Sequence, residues 1–233
     1  MNLARTLRST IGAKAVMAVT GVMLILFVLG HMVGNLQVFA GAEKLNQYAH
    51  FLQSLGGALW LIRGGLLLIF VLHIWAALRV SAASRAARPV PYAAKKEDLV
   101  TTYAAKTMMV SGVIVALFVV YHVLHFTTGS IDFAGSYAKD LPYYALANGT
   151  EVPDVYAMVI GGFQNVPTAL TYIIANIILA VHLSHGAASL LQTFGFRNKH
   201  NKDTVKKFGI GVGLIVGIGN VIMPLTIMMG LVE

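Results

Sequence analysis

Runs of apolar residues long enough to cross a bilayer recur five times along the chain, at residues 15–39, 58–80, 105–128, 167–191 and 208–231. A helix needs roughly 20 predominantly apolar residues to span about 30 Å of hydrocarbon. The pattern predicts an all-α membrane protein, a single domain over residues 1–233 with five transmembrane helices in one bundle. The first run is too long for a signal peptide and no small-residue cleavage site follows it, so it is expected to be a true span. Residues 131–165 break the pattern: they are polar, rich in Gly, Pro and Tyr, and carry Pro142 and Pro153. They predict an external loop with a short surface helix that covers one end of the bundle. No internal repeat stands out.

Composition narrows the class. The 233 residues are 57% hydrophobic and 11% charged, with a mean hydropathy of +0.74, too apolar for a soluble domain of this length. A net charge of +8 raises the question of nucleic acid, but the cations sit in clusters between spans, as membrane topology requires. Arg5, Arg8 and Lys14 precede the first span. Arg79, Arg85, Arg88, Lys95, Lys96 and Lys106 follow the second, and Arg197, Lys199, Lys202, Lys206 and Lys207 follow the fourth. These are 14 of the 17 cations, all on one side. The other side keeps Lys44, Arg63 and Lys139 with Glu43, Asp132, Asp140, Glu151, Asp154 and Glu233. The positive-inside bias predicts a cytoplasmic N-terminus and an external C-terminus. With no cysteine, an iron–sulfur cluster or thiolate-ligated haem on this chain is excluded, and any metal falls to His or carboxylates.

Histidine is the chemistry the spans carry. His31, His73, His122 and His182 lie on four different predicted helices, each about 22–24 Å along its span at 1.5 Å per residue. Because the helices alternate in direction, His31 and His122 reach the external half and His73 and His182 the cytoplasmic half. Two pairs result, roughly 15 Å apart in depth across a core about 30 Å thick. An imidazole in lipid is costly without a partner. A bis-His pair fills both axial positions of a haem iron, and two pairs at two depths predict two b haems and an electron path across the bilayer. The plainer alternative is that each His hydrogen-bonds a neighbouring helix. Gly30 and Gly34 beside His31, Ala76 and Ala77 after His73, and Gly186 and Ala187 after His182 would admit a haem face, or serve ordinary close helix packing. Arg79 would pair with a haem propionate or anchor the helix at the interface. Gly209, Gly213 and Gly217 form a close-packing face toward another helix of this chain or of another copy, and Pro224 predicts a kink.

The motifs GHMVGN (30–35), AEKLNQYAHFLQSL (42–55), LHIWAALR (72–79), SGVIVALFVVYH (111–122) and HLSHGAASLLQTFG (182–195) together resemble the di-haem cytochrome b membrane anchor of succinate dehydrogenases and fumarate reductases, in its single-subunit, five-helix form. They cover the first four helices in order, and the fifth helix matches in character only. The resemblance implies that His31 and His122 ligate the haem distal to the soluble subunits, and His73 and His182 the proximal one. His185 lies one turn from His182, and His125 from His122. The family's spacing to an aromatic–Gly pair, here Phe194–Gly195, selects His182, leaving His125 and His185 as propionate or neighbouring partners. Arg63 would serve a distal propionate or snorkel to the interface.

The family also implies partners. An iron–sulfur subunit and a flavoprotein with covalent FAD would dock on the cytoplasmic face, electrons would pass to or from a membrane quinone, and the complex would sit in the inner membrane of a prokaryote as part of tricarboxylic-acid-cycle or fumarate electron transport, with oligomerisation of the whole complex open. This chain has no flavin or dicarboxylate motif, so it is an electron-transfer subunit and not the catalyst of succinate chemistry. His50, Tyr48 and Gln53 form a candidate quinone site, since quinone carbonyls need hydrogen-bond donors; a solvated surface helix is the alternative. Some fumarate reductases of the family carry a glutamate two residues before the fourth-helix ligand, where this chain has Ala180. That argues against a transmembrane proton route at that position, and the general pattern leans to menaquinone over ubiquinone. Competing classes are a proton-coupled transporter, another quinone-linked cytochrome b, and an anchor that has lost its haems.

Overall fold

The structure, a computed structural model, describes residues 9–87, 103–131 and 141–233. Of the charges that set the predicted topology, Arg5, Arg8, Arg88, Lys95, Lys96, Asp132, Lys139 and Asp140 lie outside the described residues. The chain runs through α1 (Thr10–Asn35), a 3-10 turn (Leu36–Ala40), α2 (Ala42–Ser54), α3 (Gly57–Ala86) and α4 (Met108–His122), which ends in a π-helical turn (Val123–Thr127). A hairpin of β1 (Tyr143–Ala145) and β2 (Glu151–Pro153) then leads into α5 (Val155–Gln164), α6 (Val166–Thr193) and α7 (Lys202–Met228). The five long helices α1, α3, α4, α6 and α7 are each apolar and long enough to cross a membrane. They match the five predicted runs, with ends displaced by a few residues.

The helix ends follow local chemistry. Ser9 accepts the Gly12 N–H at 3.1 Å to open α1. Asp154 accepts the Ala157 N–H at 3.0 Å to open α5. Asn165 accepts the Thr168 N–H at 3.1 Å to open α6, with Pro in its first turn, where a missing N–H costs nothing. Gly41 and Gly56 take φ of 90° and 53° on either side of α2, a conformation that lets this helix fold back between two spans.

Packing is lopsided. The closest interface joins α6 and α7, while α3 packs chiefly on α1, and α4 on α6. A Cβ on Gly209 would collide with the Ser184 carbonyl, one on Gly213 with the Ala180 carbonyl, and one on Gly217 with the Ala180 side chain. The predicted glycine stripe therefore serves α6 of the same chain. Ala76 is the one fully buried residue of α3, and Trp60, Leu61, Leu67 and Leu68 stand exposed on it, as on a helix that faces lipid.

The densest core lies at one end of the bundle, where Val38, Leu45, Ile160, Phe163, Ala169, Tyr172 and Ile227 pack together. Here α2, the hairpin and α5 form a cap. Asn46, wholly buried, donates to the Asp154 carboxylate at 2.9 Å and accepts the Tyr156 N–H at 3.1 Å. Glu43 accepts the Ala147 N–H at 3.1 Å. The Tyr156 hydroxyl donates to the Glu233 carbonyl at 2.6 Å, and burial together with the nearby Asp154 carboxylate pushes this phenol up. The loop predicted at 131–165 thus contains a hairpin and α5; the hairpin went unforeseen because three-residue strands leave no alternation to read.

Candidate functional site: histidines at two levels

The four predicted histidines fall into two levels, set by helix geometry alone. At the first level His31 of α1 faces His122 of α4, ring centroids 5.7 Å apart and planes at 82°. At the second, the His73 ring lies against α1 at Thr20 and Gly21: its Nδ1 is 3.1 Å from Thr20 Oγ1, and a Cβ on Gly21 would meet its Cε1 at 3.5 Å. His182 lies against α4 in the same way, its Nδ1 3.1 Å from Ser111 Oγ and its Cε1 3.3 Å from a Cβ placed on Gly112. Gly21 precedes His31, and Gly112 precedes His122, by ten residues, or about 15 Å of helix. Two independent helices therefore give the same separation between levels.

The equality has a sequence cause. Residues 20–31 read TGVMLILFVLGH and residues 111–122 read SGVIVALFVVYH: hydroxyl, Gly, Val, then Leu-Phe-Val and His in identical register. The phenylalanines play the same part, Phe27 stacking on His31 at 5.5 Å and Phe118 lying 6.0 Å from His122. An internal repeat is present after all. A twelve-residue similarity inside two apolar helices is masked by the Val, Leu and Ile that any span contains, and it shows once contacts align the two glycines.

The structure also separates neighbouring histidines. His125 is buried at 3% exposure, stacks on Tyr121 and places its Nδ1 3.0 Å from the Tyr172 hydroxyl. The same hydroxyl is 3.3 Å from His122 Nδ1. The π-helical turn after His122 sets His125 in this core instead of beside His31. His185 lies toward Arg197, while His182 makes the contact with α4.

Around the pairs, a Cβ on Gly30 or Gly186 would find no atom within 4 Å, so both border open space. Gly34 does not: the Tyr48 ring sits on it. Arg63 lies over Trp60 at 5.0 Å and Arg79 over Trp75 at 5.6 Å. These are the only two tryptophans of the chain; Trp60 lies in the first turn of α3 and Trp75 beyond its middle. The candidate quinone residues are not gathered. Tyr48 packs inward on Gly34, whereas His50 and Gln53 are exposed on another side of α2. Thr20, Ser111 and Tyr172 carried no sequence signal as single residues.

The chain matches no protein-family model, no curated protein and no solved structure. The reading of the site therefore rests on its geometry.

That geometry can be tested against a haem. Among the described residues no group of three or more His, Cys, Asp or Glu could hold a metal ion, but a haem iron takes only two axial side chains. Two imidazole nitrogens on one metal, each at about 2 Å, stand about 4 Å apart, and ring centroids 5.7 Å apart suit that spacing. None of the four imidazoles is fully buried, in contrast to His125, and α1 and α4, which carry the first pair, share no extended packing seam. By that spacing the outer pair fits the group.

Proposed function

We propose that this chain is the membrane anchor of a succinate:quinone oxidoreductase, holding two b haems through His31 with His122 and His73 with His182. The observation that carries the reading is the pairing of four intramembrane histidines at two levels about 15 Å apart, each pair drawn from two helices. When bound, the haems would supply one-electron transfer between a membrane quinone and iron–sulfur and flavin subunits on the cytoplasmic side. The chain's own residues do the rest. The paired imidazoles fix the centres, Phe27 stacks on one outer ring and Phe118 lies tilted against the other, and the small residues Gly21 and Gly112 let the inner rings approach a neighbouring helix. Arg63 and Arg79 place positive charge near the two levels, where carboxylates of a porphyrin would be neutralised. Tyr48, seated on Gly34 three residues beyond His31, is the donor best placed for a quinone near the outer pair, with menaquinone preferred. The basic inner loops, with Arg85, Lys106, Arg197 and Lys199, are the docking face for the soluble subunits.

The transporter alternative needs carboxylates within the membrane, and the five spans contain one acid, Asp203 in the first turn of α7. A reduced-minus-oxidised spectrum with haem extraction on the purified complex tests the proposal. About two haem b per chain are expected, one lost in His73→Ala or His182→Ala and the other in His31→Ala or His122→Ala. Retention of both in His182→Ala, with loss in His185→Ala, would reassign the inner ligand; no porphyrin at all would end the reading.

A further inference from the structure

The inner histidines each sit on a hydroxyl whose proton is already committed. Thr20 Oγ1 donates to the Val16 carbonyl at 2.7 Å, with the Met17 carbonyl also in reach at 3.2 Å. Ser111 Oγ donates to the Met108 carbonyl at 3.1 Å. A hydroxyl has one proton to give and can accept with its remaining lone pairs. With the protons so placed, both hydroxyls meet the imidazoles as acceptors, the arrangement in which His73 Nδ1 and His182 Nδ1 carry the hydrogen. In each ring the bare nitrogen is then Nε2.

We infer that Thr20 and Ser111 are positioning residues that hold His73 and His182 in the Nδ1–H tautomer, presenting Nε2 to iron and making both imidazoles stronger electron donors. The inference rests on the haem reading above and deepens it for the inner centre. The repeat places the two hydroxyls on equivalent steps of α1 and α4, so the pair is gripped alike from both sides. The outer pair has no such symmetry: His122 Nδ1 meets the phenol of Tyr172, and Phe27 stacks on His31. An N–H donated by a ligating imidazole raises its basicity, which favours the oxidised metal. Removing the acceptor favours the reduced one.

The test uses the full chain purified with its native partners and compares Thr20→Val, Ser111→Ala, the double variant, and the conservative Thr20→Ser and Ser111→Thr. Redox titration of the haem bands should show the inner centre alone becoming easier to reduce. The reduced-to-oxidised ratio at fixed ambient potential should rise by up to about five-fold per lost bond, the limit in which the whole equilibrium worth of one neutral hydrogen bond favours the oxidised state. The effects should add in the double variant and revert in the conservative pair. If Thr20→Val or Ser111→Ala sheds the inner haem instead, its retention in Thr20→Ser or Ser111→Thr supports the inference. Loss in the conservative variants too, an unmoved inner titration, or an equal shift of both centres overturns it. Nitrogen-15 spectra of labelled histidine in the haem-free chain separate this from the haem reading itself. Nδ1–H tautomers at His73 and His182 that vanish in Thr20→Val and Ser111→Ala uphold the hydroxyl contacts even if no haem is ever found, and Nε2–H tautomers there refute them.

Discussion

At the scale of single residues, the molecule shows how a polar atom in an apolar bundle is kept in place by counting protons. Tyr172 is the clearest case outside the inner pair. Its hydroxyl lies between His122 Nδ1 at 3.3 Å and His125 Nδ1 at 3.0 Å, where one oxygen can accept from one imidazole and give its single proton to the other. If His122 offers Nε2 to a metal, its Nδ1–H donates to the phenol and the phenol proton goes to His125. Tyr172→Phe keeps the ring that packs on Phe118, Phe126 and Phe163 but removes the hydroxyl that both imidazoles meet. A loss of about 1–3 kcal/mol is expected, measured by denaturant unfolding in mixed micelles. An unchanged midpoint would show that this hydroxyl bridge contributes nothing. The four paired histidines were legible in the sequence because a rise of 1.5 Å per residue turns position into depth. Thr20, Ser111 and Tyr172 were not, because a lone hydroxyl in a span does not reveal a partner 47 to 71 residues away. Gly34 was read as a haem face or a close-packing position, and smallness alone could not name the group that approaches it, Tyr48.

Among the elements, the contrast between α3 and α7 sets what each can tolerate. α7 meets α6 backbone to backbone through Gly209 and Gly213, where without a hydrophobic driving force in lipid, close van der Waals contact does the holding. Gly213→Ala puts a methyl into the Ala180 carbonyl and should cost about 1–3 kcal/mol as overpacking. Gly211→Ala, two residues away with nothing within 4 Å of its Cβ, is the matched control and should be near neutral. Thermal unfolding of both variants in detergent decides it, and equal midpoints would mean that the two helices part readily. The five spans could be read from apolar length because lipid leaves a helix little choice. Which span packs on which could not, since nearly every face of every span is apolar. The glycine spacing of four residues predicted a contact face but not its owner. The cap was the least legible part: α5 is an apolar helix too short to span, and the bonds from Asn46 to Asp154 and Tyr156 join positions more than 100 residues apart.

For the whole molecule, the two histidine levels acquire meaning only once the ends of the bundle are assigned to sides of a membrane. The proposed electron path requires His73 and His182 to lie nearer the cytoplasm, beside the loops that carry Arg85, Lys106, Arg197 and Lys199. It requires the cap built from α2, the hairpin and α5 to lie outside, over His31 and His122. Positive-inside bias argues for that orientation. The absence of cysteine makes the orientation directly measurable, because any introduced thiol is unique. Asn148, exposed in the hairpin turn, and Asn198, exposed between α6 and α7, are at opposite ends of the bundle. An impermeant maleimide applied to intact cells whose outer barrier has been opened should label Asn148→Cys at once and Asn198→Cys only after the inner membrane is permeabilised. The reverse pattern would put the basic loops outside and strip the inner pair of its route to cytoplasmic electron donors, while equal labelling of both sites would show that the five helices do not all cross.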